Sequence, residues 1–233
     1  MKAGIICASD SELLPFMPMI KNKTVSEKTL LRFYSGTIEN TPVVTLFCGV
    51  CKTNAAIATQ ILIDTFDCDS IINAGTAGGM DKQLNIFDTV ISTQVAHWDI
   101  TDGILTEFHP WAKSMFFKSD IKLIEIAKKA ASGIENVYFG RMVSGEAFIE
   151  DKYRNEINKK FSPLCTDMET ASIAQACYVN NIPFISIRTI TDNAEHSGEK
   201  AFLQNCERAS QISADIVKNM LKEISMEINY SEK

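Results

Sequence analysis

The chain has no run approaching the roughly 18 apolar residues that a membrane-crossing helix needs, so no membrane partner is expected. Its apolar start at residues 2–8 stops at Ser9, Asp10, Ser11 and Glu12, too soon for the hydrophobic part of a secretory leader. Histidine is scarce: His97, His109 and His196 are scattered, without the spacing of metal ligands. The Gly-Lys-Ser/Thr phosphate loop, GxGxxG and GxSxG are all missing, which removes the motif support for triphosphate, dinucleotide and serine-hydrolase readings. Positive charge is in the minority, with 23 Lys and Arg against 29 Asp and Glu and a net charge of -6, so nucleic acid is not an expected partner. Repeats, low-complexity tracts and Pro/Gly-rich linkers are absent, which leaves one domain over 1–228 and a polar tail at 229–233. Cysteine is not scarce, but its 7 residues are odd in number and only Cys48 and Cys51 form a CxxC. Without a second CxxC or a nearby histidine they read as reduced core thiols of a cytoplasmic protein, and neither metal nor cofactor is expected.

What is present alternates strand and helix patterns. Residues 2–8 read as a first strand and 11–20 as a helix weakened by Pro15 and Pro18. Residues 31–38 and 42–47 form a β-rich antiparallel pair around Glu39, Asn40 and Thr41. An amphipathic helix follows at 52–65, then a short buried strand at 70–74 leading into the glycine cluster Gly75, Gly78 and Gly79. Further strands are predicted at 89–95, 137–143 and 184–190. Further helices are predicted at 119–131, capped by Ser119 or Asp120, at 170–180, and from 199 to about 224. The alternation predicts an α/β three-layer sandwich with a central sheet flanked by helices, and the early hairpin makes that sheet mixed. In such sheets ligands gather where strands end.

Several strand ends carry residues suited to chemistry, each with a plainer alternative. Glu12 follows the first strand, where it can face a ligand or simply favour a helix dipole. In NAGTAGG at 73–79, small residues let backbone N–H groups at Thr76, Ala77 and Gly78 approach a ligand, although a tight turn would look similar. Phe148 can stack on a planar ring with Ile149 offering backbone groups at its edge, or can be a core residue under a loop. Asp167 and Glu169 flank Met168. They share a face if the segment is extended, and a carboxylate here can cap the next helix or accept from two vicinal hydroxyls. Asp192, at the exit of the most hydrophobic strand, is either a turn former with Asn193 or a buried acid able to hold a proton near neutral pH.

Taken in order, GIICASDSE, CGVCKTNAA, NAGTAGG, VSGEAFI, TDMETASIA and RTITDNA resemble the 5'-methylthioadenosine/S-adenosylhomocysteine nucleosidases of the purine nucleoside phosphorylase superfamily, over nearly the whole chain. The resemblance implies that Asp192 protonates purine N7 and that Glu12 activates the attacking water. It implies that Glu169 binds the ribose hydroxyls with Met168 packed on the sugar, that Phe148 and Ile149 receive adenine, and that Thr76 keeps the hydroxyl of a usual serine. Arg188 matches an arginine near the water and Glu169, and Phe202 an aromatic closing over the 5'-alkylthio group. It further implies a homodimer acting on a small adenine nucleoside without cofactor.

Two positions depart from the pattern: Cys51 stands where glycine is common and Glu146 where aspartate is usual. The segment at about 96–117 is unfamiliar. Its Trp98, Phe108, Pro110, Trp111, Phe116 and Phe117 suit either the alkylthio pocket or a dimer core. Three other readings stay open: a phosphorylase, a non-catalytic nucleoside binder, and a nucleosidase for another adenine nucleoside. Against the first, the stretch from Asn85 to Thr89 holds no arginine to bind phosphate.

Overall fold

The computed structural model describes residues 1–109, 111–149, 151–193 and 199–231; Pro110 and His196, named above, and Ala194, which ends the RTITDNA run, lie outside them. In chain order the elements begin with β1 (Ala3–Cys7), α1 (Asp10–Leu13), β2 (Lys21–Lys28), β3 (Leu31–Ile38), β4 (Thr41–Phe47) and α2 (Lys52–Phe66). The middle holds β5 (Ser70–Gly79), β6 (Thr89–His97), α3 (Ile104–Phe108), β7 (Phe117–Lys118), α4 (Ile121–Ala130) and β8 (Val137–Ser144). The chain closes with α5 (Asp151–Phe161), β9 (Cys165–Asp167), α6 (Thr170–Asn180), β10 (Phe184–Asp192) and α7 (Glu199–Ser231).

The fold is the expected mixed sheet between helices. Strand β1 runs parallel to both β4 and β5, and β5 runs parallel to β10. Antiparallel partners occur at β3–β4, β6–β10 and β5–β9. Strands β5, β10, β6, β8 and β9 pair in a closed circuit, from which β1, β4, β3 and β2 extend as an open sheet. Alternate residues of β1 serve opposite faces. Ala3, Ile5 and Cys7 pack with α4 and α7, whereas Ile6 packs with α2 and α6. All nine residues of β10 are buried, as a strand covered on both faces requires.

Several elements differ from expectation for identifiable reasons. The helix expected at 11–20 is only the four-residue α1 and a 3-10 turn at Leu14–Phe16, whose first positions hold Pro15 and so need no N–H. Strand β2 had no sequence signal because all eight residues are exposed, giving no alternation. Its lysines and Glu27 protect a sheet edge. The glycine cluster is not a loop: β5 continues through it to Gly79. Helix α4 is capped by Asp120, whose side chain accepts from Leu123 N–H at 2.9 Å. Helix α7 runs to Ser231, past both the expected end near 224 and the start of the expected tail.

Candidate active site

Ser9 caps α1 by accepting from the N–H of Glu12, the arrangement of a capping box. The Glu12 side chain does not return to the cap residue, however. Its Oε2 accepts from Ala8 N–H at 2.7 Å, and its Oε1 accepts from the N–H and hydroxyl of Thr76 at 2.7 and 2.9 Å. Gly75 makes this possible, because a Cβ there would overlap the Glu12 carboxylate. That close approach explains why the glycine run is strand: it clears space beside β5 and keeps its ladder.

Arg188 sits in β10 opposite Gly75 and is 1% exposed. Its Nη2 meets Asp167 Oδ2 at 2.7 Å and Glu169 Oε2 at 3.3 Å, and its Nη1 meets Glu12 Oε1 at 3.4 Å. Nη1 also donates to Thr76 O at 3.1 Å, and Nε to Thr170 Oγ1 at 3.3 Å. Burial opposes the guanidinium charge, but Asp167, Glu12 and Glu169 outweigh it and hold the group protonated. Glu169 is equally enclosed. Burial pushes its carboxyl up to about 7, with Arg188 pulling down and Asp167 pushing further up. The N–H of Cys51 donates to Glu169 Oε1 at 2.9 Å.

Asp167 settles the question of orientation in the TDMET run. It ends β9, and Glu169 is the cap position of α6. Both carboxylates converge on the same Arg188 nitrogen. Asp167 also caps α6, its Oδ1 accepting from the N–H groups of Glu169 and Thr170 at 3.3 and 3.2 Å. Hydroxyls of Ser144 and Thr170 bond to it as well. The capping role raised for this segment therefore belongs to Asp167, and Glu169 is left facing the cavity.

Asp192 reaches the site through a bulge. The β5–β10 register shifts between Ile190 and Asp192, which sets Asp192 opposite Gly78. A Cβ on Gly78 would lie 3.1 Å from Asp192 Oδ2, so here too a glycine of β5 accommodates a carboxylate. Burial raises the proton affinity of Asp192, against the Thr191 hydroxyl, which donates to Oδ1 at 2.8 Å, and the charge of Arg154.

These groups face one cavity of about 660 Å³, within the range of small-ligand sites. Glu12, Arg188, Glu169 and Asp192 line it together with Thr76, Ala77 and Gly78 of β5. Phe148, Ile149, Met168 and Phe202 complete the walls, so all eleven candidate residues meet there. Phe148 is 63% exposed, which removes the core-residue alternative. Sequence reading raised Asp167 but assigned it no role in the site, and missed Val50, Leu203 and Arg154, which line the same cavity. Arg154 comes from α5, a largely polar helix whose apolar face is only Tyr153, Ile157 and Phe161, and its Nη1 donates to Gly79 O at 2.7 Å. The described aromatics of the 96–117 segment do not line the cavity in a single chain. Trp98 and Phe116 pack beside Val143 and Phe161, Phe117 is core, and Phe108 and Trp111 are exposed.

Comparison with known proteins accords with the fold and with the family resemblance of the sequence. Residues 2–222 match the family model described as the phosphorylase superfamily. A 5'-methylthioadenosine/S-adenosylhomocysteine nucleosidase of Halalkalibacterium halodurans is 37% identical over 224 residues, 93% of this chain and 96% of that protein. One from Oceanobacillus iheyensis is 34% identical over 229 residues, 96% of this chain and 100% of that protein. The chain belongs to this nucleosidase family. The nucleosidase of Neisseria meningitidis, solved in complex with methylthio-immucillin-A, superposes with a TM-score of 0.88 at 31% identity, covering 95% of this chain and 98% of that one.

Within that family frame, the two departures acquire a physical setting. Cys51 has φ 85°, a conformation that glycine adopts freely and a side chain resists. Its thiol is held protonated by burial and a hydrogen bond to Glu146, and burial pushes Cys48 up to about 12. Neither is a ready thiolate, and both are free thiols. Glu146 is bonded to the backbone of Lys52, as described below.

Proposed function

We propose that the chain hydrolyses the N-glycosidic bond of 5'-methylthioadenosine and S-adenosylhomocysteine, releasing adenine and the 5'-thioribose. The observation that carries this reading is the meeting of Glu12, the Arg188–Glu169 pair, Asp192 and the exposed ring of Phe148 on one cavity. Asp192, with its raised proton affinity, protonates N7 so that adenine leaves neutral. Glu12 activates water. Its Oε1 already accepts three donors and Oε2 only one, so a free lone pair on Oε2 is available to take the proton. Glu169 accepts from the ribose hydroxyls and Met168 packs on the sugar. Nearby carboxylates stabilise the cationic ribosyl group as its bond to the base opens. Phe148 stacks on adenine, Ile149 meets its edge through backbone groups, and Phe202 closes over the 5'-substituent.

The two proposed acid–base groups press against different positions of β5, Glu12 at Gly75 and Asp192 at Gly78. Phosphorolysis is disfavoured electrostatically, since Arg188 is already matched by three carboxylates that would repel a phosphate. The test is adenine release in phosphate-free buffer from methylthioadenosine, adenosylhomocysteine, adenosine and inosine. Turnover of the first two without phosphate, and a fall of about 10²–10⁴-fold in Asp192→Asn with the fold retained, is expected. Full activity in that variant rejects the proton-donor role.

Among the described residues no helix is long and apolar enough to cross a membrane. A cytoplasmic location is supported by the seven free cysteines. A homodimer is supported by the exposed apolar surface at Trp111, Tyr178 and Val179, and light scattering measures it directly.

A further inference from the structure

A ring of charged contacts lies just outside the cavity and joins its two halves. Lys52 opens α2, immediately after the Cys51 N–H that holds Glu169. Asp99 follows β6, and Glu146 lies in the loop presenting Phe148 and Ile149. The Lys52 ammonium donates to both Asp99 oxygens at 2.8 Å. Asp99 Oδ2 also accepts from the backbone N–H of Glu146 at 2.9 Å. Glu146 Oε1 in turn accepts from the backbone N–H of Lys52 at 3.0 Å. The Lys52 and Asp99 side chains are 20% and 19% exposed, so their pairing is less screened than that of an open surface pair.

The loop at 145–149 needs such an anchor. Phe148 projects largely into solvent, so core packing does not place its ring. Upstream, Gly145 N–H donates to Asp167 O at 3.1 Å, and a Cβ on Gly145 would overlap the Trp98 ring. The loop is thus seated on Trp98 and tied to the next residue, Asp99. On the other side of the ring, the turn before α2 carries Val50 and Cys51, one lining the cavity and the other orienting Glu169.

We propose that Lys52, Asp99 and Glu146 act as one positioning clamp, setting the ring-stacking loop at a fixed distance from the turn that orients Glu169. All three act through other residues and do not line the cavity, so they govern ligand affinity and leave the bond-breaking step to the groups inside. The inference rests on the functional reading only in taking the planar ligand to be adenine.

The test uses the full chain with two readouts, steady-state cleavage of methylthioadenosine and calorimetric titration with adenine. In Asp99→Asn, KM and the adenine Kd are expected to rise together by about tenfold, the scale of one charge-assisted hydrogen bond, with kcat within about threefold. Lys52→Met should match it and Lys52→Arg should restore most of the affinity. The double variant Asp99→Asn with Glu146→Gln should be no worse than about the weaker-binding single variant, because the contacts act as one unit. If Asp99→Asn does not fold, the Lys52 pair of variants carries the same comparison. Unchanged KM and adenine affinity, a loss confined to kcat, or simple multiplication of the two single effects overturns the clamp. A wild-type chain that neither binds adenine nor cleaves the nucleoside overturns the functional reading instead.

Discussion

The two ends of the cavity are built on different principles. At the Glu12–Arg188 end every charged group is buried and already bonded: one guanidinium serves Asp167, Glu169 and Glu12, and neighbouring backbone N–H groups and hydroxyls, among them Ala8, Thr76 and Cys51, supply further donors. At the Phe148 end the ring is exposed, its loop is anchored by a peripheral ion pair, and the acid on the same cavity, Asp192, sits at a strand exit. Dipoles fixed before the ligand arrives stabilise developing charge without reorganisation, which suits the sugar and water proposed for this end. A planar base, as proposed for the Phe148 side, needs only a face to stack on and an edge to meet, so that side can stay open for entry and release.

This contrast can be broken most forcefully at Arg188. Arg188→Met leaves three buried carboxylates unpaired and is expected to cost about 3–5 kcal/mol of stability, read by urea melts, together with loss of adenine release. A change below about 1 kcal/mol would mean that the buried end is not held by its charges. Phe148→Ala tests the opposite end. Stability should stay within about 0.5 kcal/mol, as for an exposed side chain, while KM rises about tenfold from lost stacking. A large fall in melting temperature would mean that the loop is part of the core after all.

The smallest effect concerns pH. The Glu169 carboxyl is raised from 4.5 to about 7 in the folded chain, chiefly by burial. Its folded form binds a proton more tightly than its unfolded form, so the stability it lends is complete below pH 4.5 and fades as pH rises through about 7. Glu169→Gln should therefore make the fall in stability across that window shallower, as measured by urea midpoints at several pH values. An unaltered slope would show that Glu169 is not the titrating group.

Much of the site was legible because its chemistry demands particular residues at strand ends. Glu12, Glu169, Arg188 and Asp192 were all candidates before any geometry. Asp167 was visible too, but its use was not. A carboxylate ahead of a helix reads as a cap, and it is one, yet it also makes the shortest ion pair to Arg188. Arg154 was hidden because α5 has a largely polar sequence, and β2 because an exposed edge strand leaves no alternation. The glycine run misled in one respect: its small residues suggested a loop, whereas β5 needs them to remain a strand while carboxylates press against Gly75 and Gly78.

The order of strands and helices, the division into buried and exposed faces, and the inventory of acids, arginine and aromatic rings follow from the chain itself, since periodicity and residue type are local properties. Which carboxylate meets which donor is decided only by tertiary structure. Glu12 and Arg188 are distant in the chain, and only the pairing of β10 with β5, and the bulge that turns Asp192 toward Gly78, brings Glu12 and Asp192 to the same cavity. Sequence separation carries no record of that distance, because the closure of a sheet is a collective outcome of packing on both its faces.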